Sequence, residues 1–324
     1  MKKILLLLVG LLFLSGCGKP KVPSEEILNR LDSYVEETGG IYESVDGTLI
    51  SLYPHHEWES YINDYDTVKT FADASDIPVY VAFPPRKMDA MTSCLPEDFP
   101  TEHTEYLYSM AEYILSDSKA VYIDLYSLLK GNTDAYLKTD HHWSNSGVYL
   151  AYEKIVEAMG VESVPQENFN ISVLLENYQG SDHTKKKDSQ KTDVMTGAVP
   201  EGEFMTELVR FPYDSNENNI SFEGFYDYSQ LDTGEKYGVF LGGNEPYIRI
   251  TKVGEKNRDR LLLVRDSFAS ALAPYLAEHF DLVLIDPRFY PESVSNAVQR
   301  ENAFAVLVLE NMGSVTESEI KFKW

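Results

Sequence analysis

Apolar residues along this chain follow two alternating patterns, one typical of helices and one typical of buried strands. Apolar positions three and four residues apart predict helices at 25–37, 61–74, 104–115 and 144–160. Continuous apolar runs predict buried strands at 77–87, 120–129, 261–268, 281–290 and 303–313. Because helices alternate with strands that are apolar on both faces, the pattern predicts an α/β fold with a mainly parallel sheet.

The last third of the chain gives the clearest order of elements. LLLVRDSF, DLVLIDPRFY and AFAVLVLENMG are three strands separated by helical segments, which is a βαβαβ unit. Strands in such right-handed units point the same way, so the residues that follow them meet at one edge of the sheet. This topology places Ser267, Arg288 and Asn311 at that edge, and Arg86 joins them if its strand lies in the same sheet and runs in the same direction.

Three segments depart from the α/β pattern. Residues 41–54 alternate around Asp46 and Gly47, which predicts a hairpin. Residues 176–206 lose periodicity and are rich in lysine, so we expect an inserted polar surface loop, either a lid or a plain insertion. Residues 237–244, YGVFLGGN, predict a strand closed by a tight turn.

The N-terminus is typical of an exported lipoprotein. A positive start, a short apolar run and the sequence LSGC predict a signal peptide at 1–16 and lipid attachment at Cys17. The apolar run is shorter than the roughly 20 residues that a membrane span needs. We therefore expect a tether at 17–24, one α/β domain at 25–324, and an extracytoplasmic location with the lipid as the membrane attachment.

Charge and cysteine content exclude several function classes. The chain has 28 Lys and Arg against 52 Asp and Glu. Loss of Lys2 and Lys3 with the signal leaves 26 against 52, a net charge of −26, which disfavours nucleic acid and anionic lipid surfaces. With Cys17 lipidated, Cys94 has no disulfide partner, and the chain lacks a cysteine cluster for zinc. A neutral substrate suits this surface best, and we expect no cofactor.

The stretch KTDHHWSNSG, residues 138–147, carries the candidate chemistry. Ser144 predicts a helix N-cap, so the two histidines lie in a loop fixed by the helix behind it. A serine at a strand-to-helix turn becomes a nucleophile when an imidazole accepts its proton and a carboxylate orients that imidazole. Asp140, His142 and Ser267 are the candidates for these roles. Ser267 taken alone fits a simple helix cap better, and only together with the histidine loop does the nucleophile become the favoured interpretation.

A metal site is the competing interpretation of the same loop. Asp140, His141 and His142 are potential ligands, but adjacent histidines in a loop usually point apart. The chain has no HExxH or CxxC spacing to support them. We therefore predict no metal here, and we expect Trp143 to be a packing residue beneath the loop.

The motif resembles a known family. Asp-His-His-Trp at 140–143, followed by Ser144 and Gly147, resembles the bacterial DHHW-motif proteins, and FLGGN, LLLVRDSF and DPRFY resemble the same pattern. It is similar also to the Asp-x-His-Trp segment of alginate O-acetylation proteins of the SGNH/GDSL hydrolase-like superfamily. The resemblance implies a three-layer SGNH-like fold. Here the acid and the histidine precede the serine, so the fold would be circularly permuted.

The resemblance also implies roles for individual residues. Ser267 would be the nucleophile, His142 the general base and Asp140 its orienting carboxylate, while His141 would line the substrate groove. Asn311, Arg288, Asn244 and Arg86 are candidate oxyanion or substrate-binding residues. Arg265 stands where the usual glycine of a GDS block would be, which is a departure from the family pattern at the oxyanion turn.

Two function hypotheses follow. The first is a lipid-anchored O-acetyltransferase or acetylesterase acting on a cell-surface polysaccharide, with a membrane-bound O-acyltransferase as a possible acyl donor. The second is a non-catalytic carbohydrate-binding lipoprotein with a relic site. Transferase and esterase share the same acyl-enzyme, so the sequence leaves that choice open.

Overall fold

The computed structural model describes residues 19–56, 58–209 and 219–317. The predicted signal peptide 1–16 and Cys17 lie outside the described residues. Residues 19–24, the described part of the predicted tether, contain no helix or strand. In the three described ranges, no helix combines the length and apolar character needed to cross a bilayer.

Two sets of elements build the described chain. The strands are β1 Ile41–Glu43, β2 Leu49–Ser51, β3 Val79–Ala82, β4 Val121–Ile123, β5 Asn170–Tyr178, β6 Asp193–Val199, β7 Phe204–Leu208, β8 Ile220–Glu223, β9 Tyr247–Lys252, β10 Arg260–Arg265, β11 Asp281–Ile285 and β12 Ala305–Leu309. The helices are α1 Glu25–Thr38, α2 Trp58–Ala74, α3 Lys87–Ala90, α4 Glu102–Leu115, α5 Leu125–Leu129, α6 Asn145–Ala158, α7 Ser181–Lys185, α8 Phe268–Ala277, α9 Val294–Glu301 and α10 Ser314–Glu317.

The largest sheet has eight strands in the order β4-β3-β12-β10-β11-β9-β7-β8. The first five strands are parallel, and β9, β7 and β8 continue the sheet in antiparallel pairing. Strand β12, the last strand of this sheet along the chain, lies directly beside β3, the first strand of this sheet. Because the two ends of the domain are neighbours in the sheet, the same architecture can be cut at a different place in the chain.

The sheet is covered on both faces, which explains its apolar strands. Leu261 and Leu263 of β10 pack with α6 and α8 in one hydrophobic cluster, while Leu262 and Val264 pack with α2 and α4 in another. Successive side chains in a strand point to opposite faces, so a strand buried on both sides needs apolar residues throughout. The predicted three-layer SGNH-like α/β fold is confirmed.

Two predicted elements differ from the structure. Residues 120–129 form a three-residue strand and then helix α5, because the Asp124 carboxylate accepts a hydrogen bond from Ser127 N and begins a helix there. Residues 237–244 form a 3₁₀ helix, Lys236–Val239, and a turn rather than a strand. In that turn Leu241, Gly242 and Gly243 all have positive φ, which no strand accommodates.

The predicted polar loop at 176–206 is instead built largely from regular elements. Strands β5 and β6 pair as a two-stranded antiparallel sheet, α7 lies between them, and β7 joins the main sheet. Val173 of β5 and Val194 of β6 are exposed. Because apolar residues lie on the solvent side of these strands, the sequence does not show the apolar–polar alternation that would predict them. The segment packs beside the loop that contains Asp140–Trp143, hereafter the DHHW loop, and supplies several of its hydrogen bonds.

Candidate active site

The loop that carries the two histidines is closed by a short antiparallel bridge between Tyr136 and Trp143. Leu137 N donates to His142 O at 3.1 Å inside this bridge. The Trp143 side chain is buried, as expected, and its Nε1 donates to Phe268 O at 3.1 Å. This bond joins the loop to the first residue of α8, so the histidines lie next to the turn that follows β10.

The structure brings the three predicted catalytic residues into one line. His142 Nδ1 lies 2.6 Å from Asp140 Oδ1, and His142 Nε2 lies 2.8 Å from Ser267 Oγ. His142 N also donates to Asp140 Oδ1 at 2.9 Å, which fixes the carboxylate against its own loop. Asp140 and His142 are buried, while Ser267 is partly exposed at the surface of the site. Both distances are those of a nucleophile, base and orienting acid in hydrogen-bonding contact.

The Asp140 carboxylate is held by residues from the segment after β5. Tyr178 Oη donates to Asp140 Oδ2 at 2.6 Å, and Ser181 N donates to the same oxygen at 2.8 Å. Burial alone would raise the pKa of Asp140, but the neighbouring His142 and these hydrogen bonds outweigh it and hold the pKa well below its usual range. Asp140 is therefore a carboxylate at neutral pH, as an orienting group requires.

Gly180 provides a direct test of this packing. A Cβ at this position would overlap the Asp140 carboxylate, although the extended backbone of Gly180 would accept alanine. We expect Gly180→Ala to displace Asp140 and to lower the turnover of p-nitrophenyl acetate about 100-fold, since a displacement near 1 Å has effects of that order. Gly234→Ala, at an exposed site with open space, should leave the rate within about twofold of wild type. Equal rates for the two variants would contradict the close packing of Gly180 on Asp140.

The turn that presents Ser267 is fixed by the preceding aspartate. Asp266 is buried, and its carboxylate accepts hydrogen bonds from Phe268 N at 2.9 Å, Asn311 N at 2.7 Å and Ser314 Oγ at 2.6 Å. Burial raises the pKa of Asp266 despite these bonds. Asp266 thus joins the end of β10 to the residues after β12, and Ser267 immediately precedes α8 with its hydroxyl toward His142.

Arg265, at the position where a GDS block has glycine, is fully buried. Its guanidinium donates to Gly243 O at 3.4 Å, Glu245 O at 3.2 Å and Asn244 Oδ1 at 3.3 Å. The side chain therefore holds the turn 243–245 against the end of β10. Asn244 is exposed, and its side-chain oxygen accepts the hydrogen bond from Arg265. The NH₂ group at the other side of the amide therefore points away from Arg265. Among the predicted oxyanion amides, Asn244 keeps a donor for a ligand.

Two predicted binding residues are committed to other contacts. The Arg86 guanidinium forms a bidentate pair with Asp89 at 2.7 and 2.9 Å, and both side chains are buried. The Asn311 NH₂ group donates to Pro84 O at 3.0 Å and to Pro85 O at 3.2 Å. With both amide hydrogens bonded to backbone carbonyls, Asn311 has none for an oxyanion. These contacts argue against substrate binding by Arg86 and against oxyanion binding by the Asn311 side chain, and both roles stay untested predictions.

Arg288 remains partly accessible at the edge of the sheet. Its guanidinium donates to both carboxylate oxygens of Asp286, at 2.9 and 2.6 Å, and one third of its side chain is exposed. This bond and the nearby carboxylates raise the pKa of Arg288 despite burial. Arg288 is a fixed cation on the rim, and a substrate role for it stays a prediction.

The His141 ring lies beside the His142 ring, and its side chain is 36% exposed. Its Nδ1 lies 2.5 Å from Ser181 Oγ. Burial and the neighbouring His142 lower the pKa of His141 to about 4, so it is neutral at neutral pH. Ligand atoms of Asp140, His141 and His142 lie within 4.8 Å of one another. An ion bound by all three would compete with Asp140 and Ser267 for the nitrogens of His142, since both already have hydrogen-bonding neighbours.

Sequence reasoning missed several residues that surround Asp140, His142 and Ser267. Tyr178 and Ser181 hold Asp140, and Tyr237 stacks on the His142 ring. Lys87 Nζ donates to Lys138 O at 3.1 Å, Asp140 O at 3.0 Å and Asp182 Oδ2 at 3.2 Å. Burial lowers the pKa of Lys87. These residues lie in segments distant along the chain from Asp140 and His142, and no local sequence pattern indicated them.

Comparison with known proteins agrees with this architecture. The chain resembles a DHHW family protein from Eubacterium siraeum, with 18% identity, a TM-score of 0.70, and coverage of 86% of this chain and 92% of that chain. It is also similar to Bacillus cereus PatB1 carrying a sulfonyl adduct, with 20% identity, a TM-score of 0.68, and coverage of 88% and 97%. The O-acetyltransferase domain of Pseudomonas putida AlgJ gives 14% identity, a TM-score of 0.51, and coverage of 86% and 93%.

These three likenesses establish a shared fold. No curated protein sequence matches the chain significantly. The sequence model described as DHHW protein matches residues 69–286, which is more than half of the chain and includes both the DHHW loop and Ser267. This chain therefore belongs to the DHHW protein family.

Proposed function

We propose that this protein is a serine-dependent acyl-ester enzyme, an O-acetyltransferase or acetylesterase, that acts on a cell-surface polysaccharide. The observation that carries the proposal is the continuous line from Asp140 through His142 to Ser267, with contacts of 2.6 and 2.8 Å. A serine that only capped α8 would have no need of an oriented imidazole, and Ser267 makes no side-chain cap hydrogen bond to that helix.

In the first half of the reaction, Ser267 Oγ attacks the carbonyl carbon of an acyl ester while His142 Nε2 takes the hydroxyl proton. Asp140, ionised and buried, stabilises the imidazolium that forms on His142. The negative charge that develops on the carbonyl oxygen is stabilised by donors at the N-terminus of α8 and by the Asn244 amide. The C–O bond to the alcohol then breaks, and His142 returns the proton to the leaving oxygen.

The second half reverses these steps with a different acceptor. Water or a glycan hydroxyl loses its proton to His142 and attacks the acyl-Ser267 carbonyl, which releases either the free acid or a new ester. Acetyl is the acyl group we favour, because the AlgJ domain of similar fold is described as an O-acetyltransferase. A membrane-bound O-acyltransferase is the acyl donor we propose for the transfer reaction.

The proposed location follows from the N-terminal sequence. Lipid attached at Cys17 would hold the enzyme at the outer side of the membrane, where a polysaccharide acceptor is present. The strongly acidic chain would add no attraction to anionic headgroups, so the lipid supplies the attachment.

Labelling with phenylmethylsulfonyl fluoride tests the nucleophile without knowledge of the natural substrate. Ser267 Oγ should attack the sulfur and expel fluoride, which adds one sulfonyl group to the protein by intact-mass measurement. We expect Ser267 to be the labelled residue, and we expect His142→Ala to react at least about 100-fold more slowly because the base is missing. His183→Ala, which removes a histidine outside this line of contacts, is the matched control and should react like wild type.

An unlabelled wild-type protein, or labelling that persists in Ser267→Ala, would contradict the proposal. That result would favour the non-catalytic carbohydrate-binding alternative. Loss of reaction after chelator treatment would instead point to an ion held by Asp140, His141 and His142.

A further inference from the structure

The His142 ring has close neighbours on both of its faces, in addition to the two that contact its nitrogens. The Tyr237 ring lies parallel to the His142 ring, with centroids 3.6 Å apart and planes 4° from parallel. Tyr237 belongs to the 3₁₀ helix Lys236–Val239, and its ring also contacts Phe240 at 4.9 Å. This is full face-to-face stacking on the residue that would carry the positive charge during catalysis.

His141 occupies the opposite face of the same ring. The centroids of His141 and His142 are 3.9 Å apart, with planes inclined by 36°. Two rings that both lie within 4 Å of a third ring cannot share one of its faces without overlapping each other. His142 is therefore sandwiched between Tyr237 and His141, while Asp140 and Ser267 contact its two nitrogens.

The polar atoms of the two outer rings differ in their contacts. His141 Nδ1 is 2.5 Å from Ser181 Oγ, and Ser181 N in turn donates to Asp140 Oδ2. The Tyr237 hydroxyl, by contrast, is buried and has no hydrogen-bond partner among the described residues. The tyrosine contributes its ring to the site, and its hydroxyl has no visible function there.

We propose that Tyr237 and His141 are positioning residues that hold the His142 ring and stabilise its protonated form through their π faces. This inference rests on the proposed function, since it assigns the device to the same triad. Aromatic faces attract a cation, and the attraction is stronger in a site removed from water. The sandwich also prevents the imidazole from rotating away from Asp140 and Ser267.

The charge states of the neighbouring groups agree with this role. Burial, with Asp140 and Asp266 nearby, raises the pKa of Tyr237 well above its usual value, and the pKa of His141 is lowered to about 4. Both rings are thus neutral when His142 becomes charged. The other ionisable groups around Tyr237 and His141 are Asp140, Tyr178, Asp182 and Asp266. The adjacent histidine is useful because it offers a ring without a competing charge.

The test compares Tyr237→Leu with Tyr237→Phe in the full-length protein. Phenylalanine keeps the π face and removes an unpartnered hydroxyl, so labelling by phenylmethylsulfonyl fluoride should stay within about twofold of wild type. Leucine keeps bulk without the face, and we expect about 10-fold slower labelling with the acidic limb of the pH–rate profile moved to lower pH. A merely structural change would lower the rate without moving that limb.

A second measurement makes the result independent of catalysis. The ring-proton NMR signal of His142, identified by its absence in His142→Gln, should titrate at lower pH in Tyr237→Leu than in Tyr237→Phe. Equal titration midpoints in the two variants would overturn the proposal. Different midpoints in a protein that the reagent does not label would support the sandwich and refute the enzyme.

His141 provides a matched pair if Tyr237→Leu does not fold, as judged by circular dichroism. Phenylalanine keeps an aromatic face at this position and leucine does not, so His141→Phe should label faster and titrate at higher pH than His141→Leu, by the same margin as for the Tyr237 pair. Identical behaviour of these two variants would also overturn the proposal.

Discussion

Replacing Ser267 with alanine should lower turnover of p-nitrophenyl acetate by at least about 10³-fold, and His142→Ala should have an effect of the same order. The two groups act in one proton transfer, because the hydroxyl is a weak nucleophile until the imidazole takes its proton. We therefore expect the double variant to be no slower than either single variant. Initial rates of nitrophenol release, with circular dichroism to confirm folding, provide the measurement.

Two control variants define the specificity of this effect. Ser116→Ala removes an exposed hydroxyl after α4 and should leave the rate unchanged. His141→Ala should lose far less activity than His142→Ala, about 10-fold against at least about 10³-fold, because Ser267 contacts His142, whereas His141 only stacks on the His142 ring. Multiplicative losses in the double variant would show that the serine and the histidine act separately, which is incompatible with the triad.

Arg86→Met should destabilise the protein by about 3–5 kcal/mol, because it leaves the Asp89 carboxylate buried without its cation. Asp89 is fully buried and also accepts from Thr104 Oγ1 at 2.8 Å and Tyr108 Oη at 2.9 Å. Burial would raise the pKa of Asp89, but the charge of Arg86 outweighs it and lowers the pKa. We expect a melting temperature lower by roughly 5–15 °C, measured by differential scanning fluorimetry.

Lys130→Met is the matched control for this substitution. Lys130 pairs with Glu105 at 2.9 Å, but both side chains are well exposed. Its loss should change stability by no more than about 1 kcal/mol. Similar melting temperatures for Arg86→Met and Lys130→Met would mean that Arg86 is not a structural residue, and its predicted substrate role would return.

Much of the fold could be read from strand hydrophobicity. The runs at 261–268, 281–290 and 303–313 are apolar at consecutive positions because β10, β11 and β12 are covered on both faces. Segments that combine a short strand with a helix were predicted less accurately. The segment 120–129 changes from strand to helix at Asp124, where one side-chain hydrogen bond determines the boundary.

The candidate site could be predicted where topology alone determines position. Ser267 follows a parallel strand, so it lies at the same edge as the residues that follow β11 and β12. The partners of Arg86 and Asn311 could not be predicted, since topology places a residue at an edge but does not determine which partners its side chain binds. Arg86 binds Asp89 three residues later, and Asn311 binds the carbonyls of Pro84 and Pro85.

By itself the sequence determined the layered α/β architecture and the chemical types of the three central residues. Those properties depend on hydrophobic periodicity and on side-chain chemistry, which are local in the chain. Only the tertiary structure decided which groups surround them: Tyr178 on Asp140, Tyr237 on the face of His142, and Arg265 beneath Asn244. Such contacts join residues from 21 to 95 positions apart, and their distances depend on how whole elements pack, which no local pattern encodes.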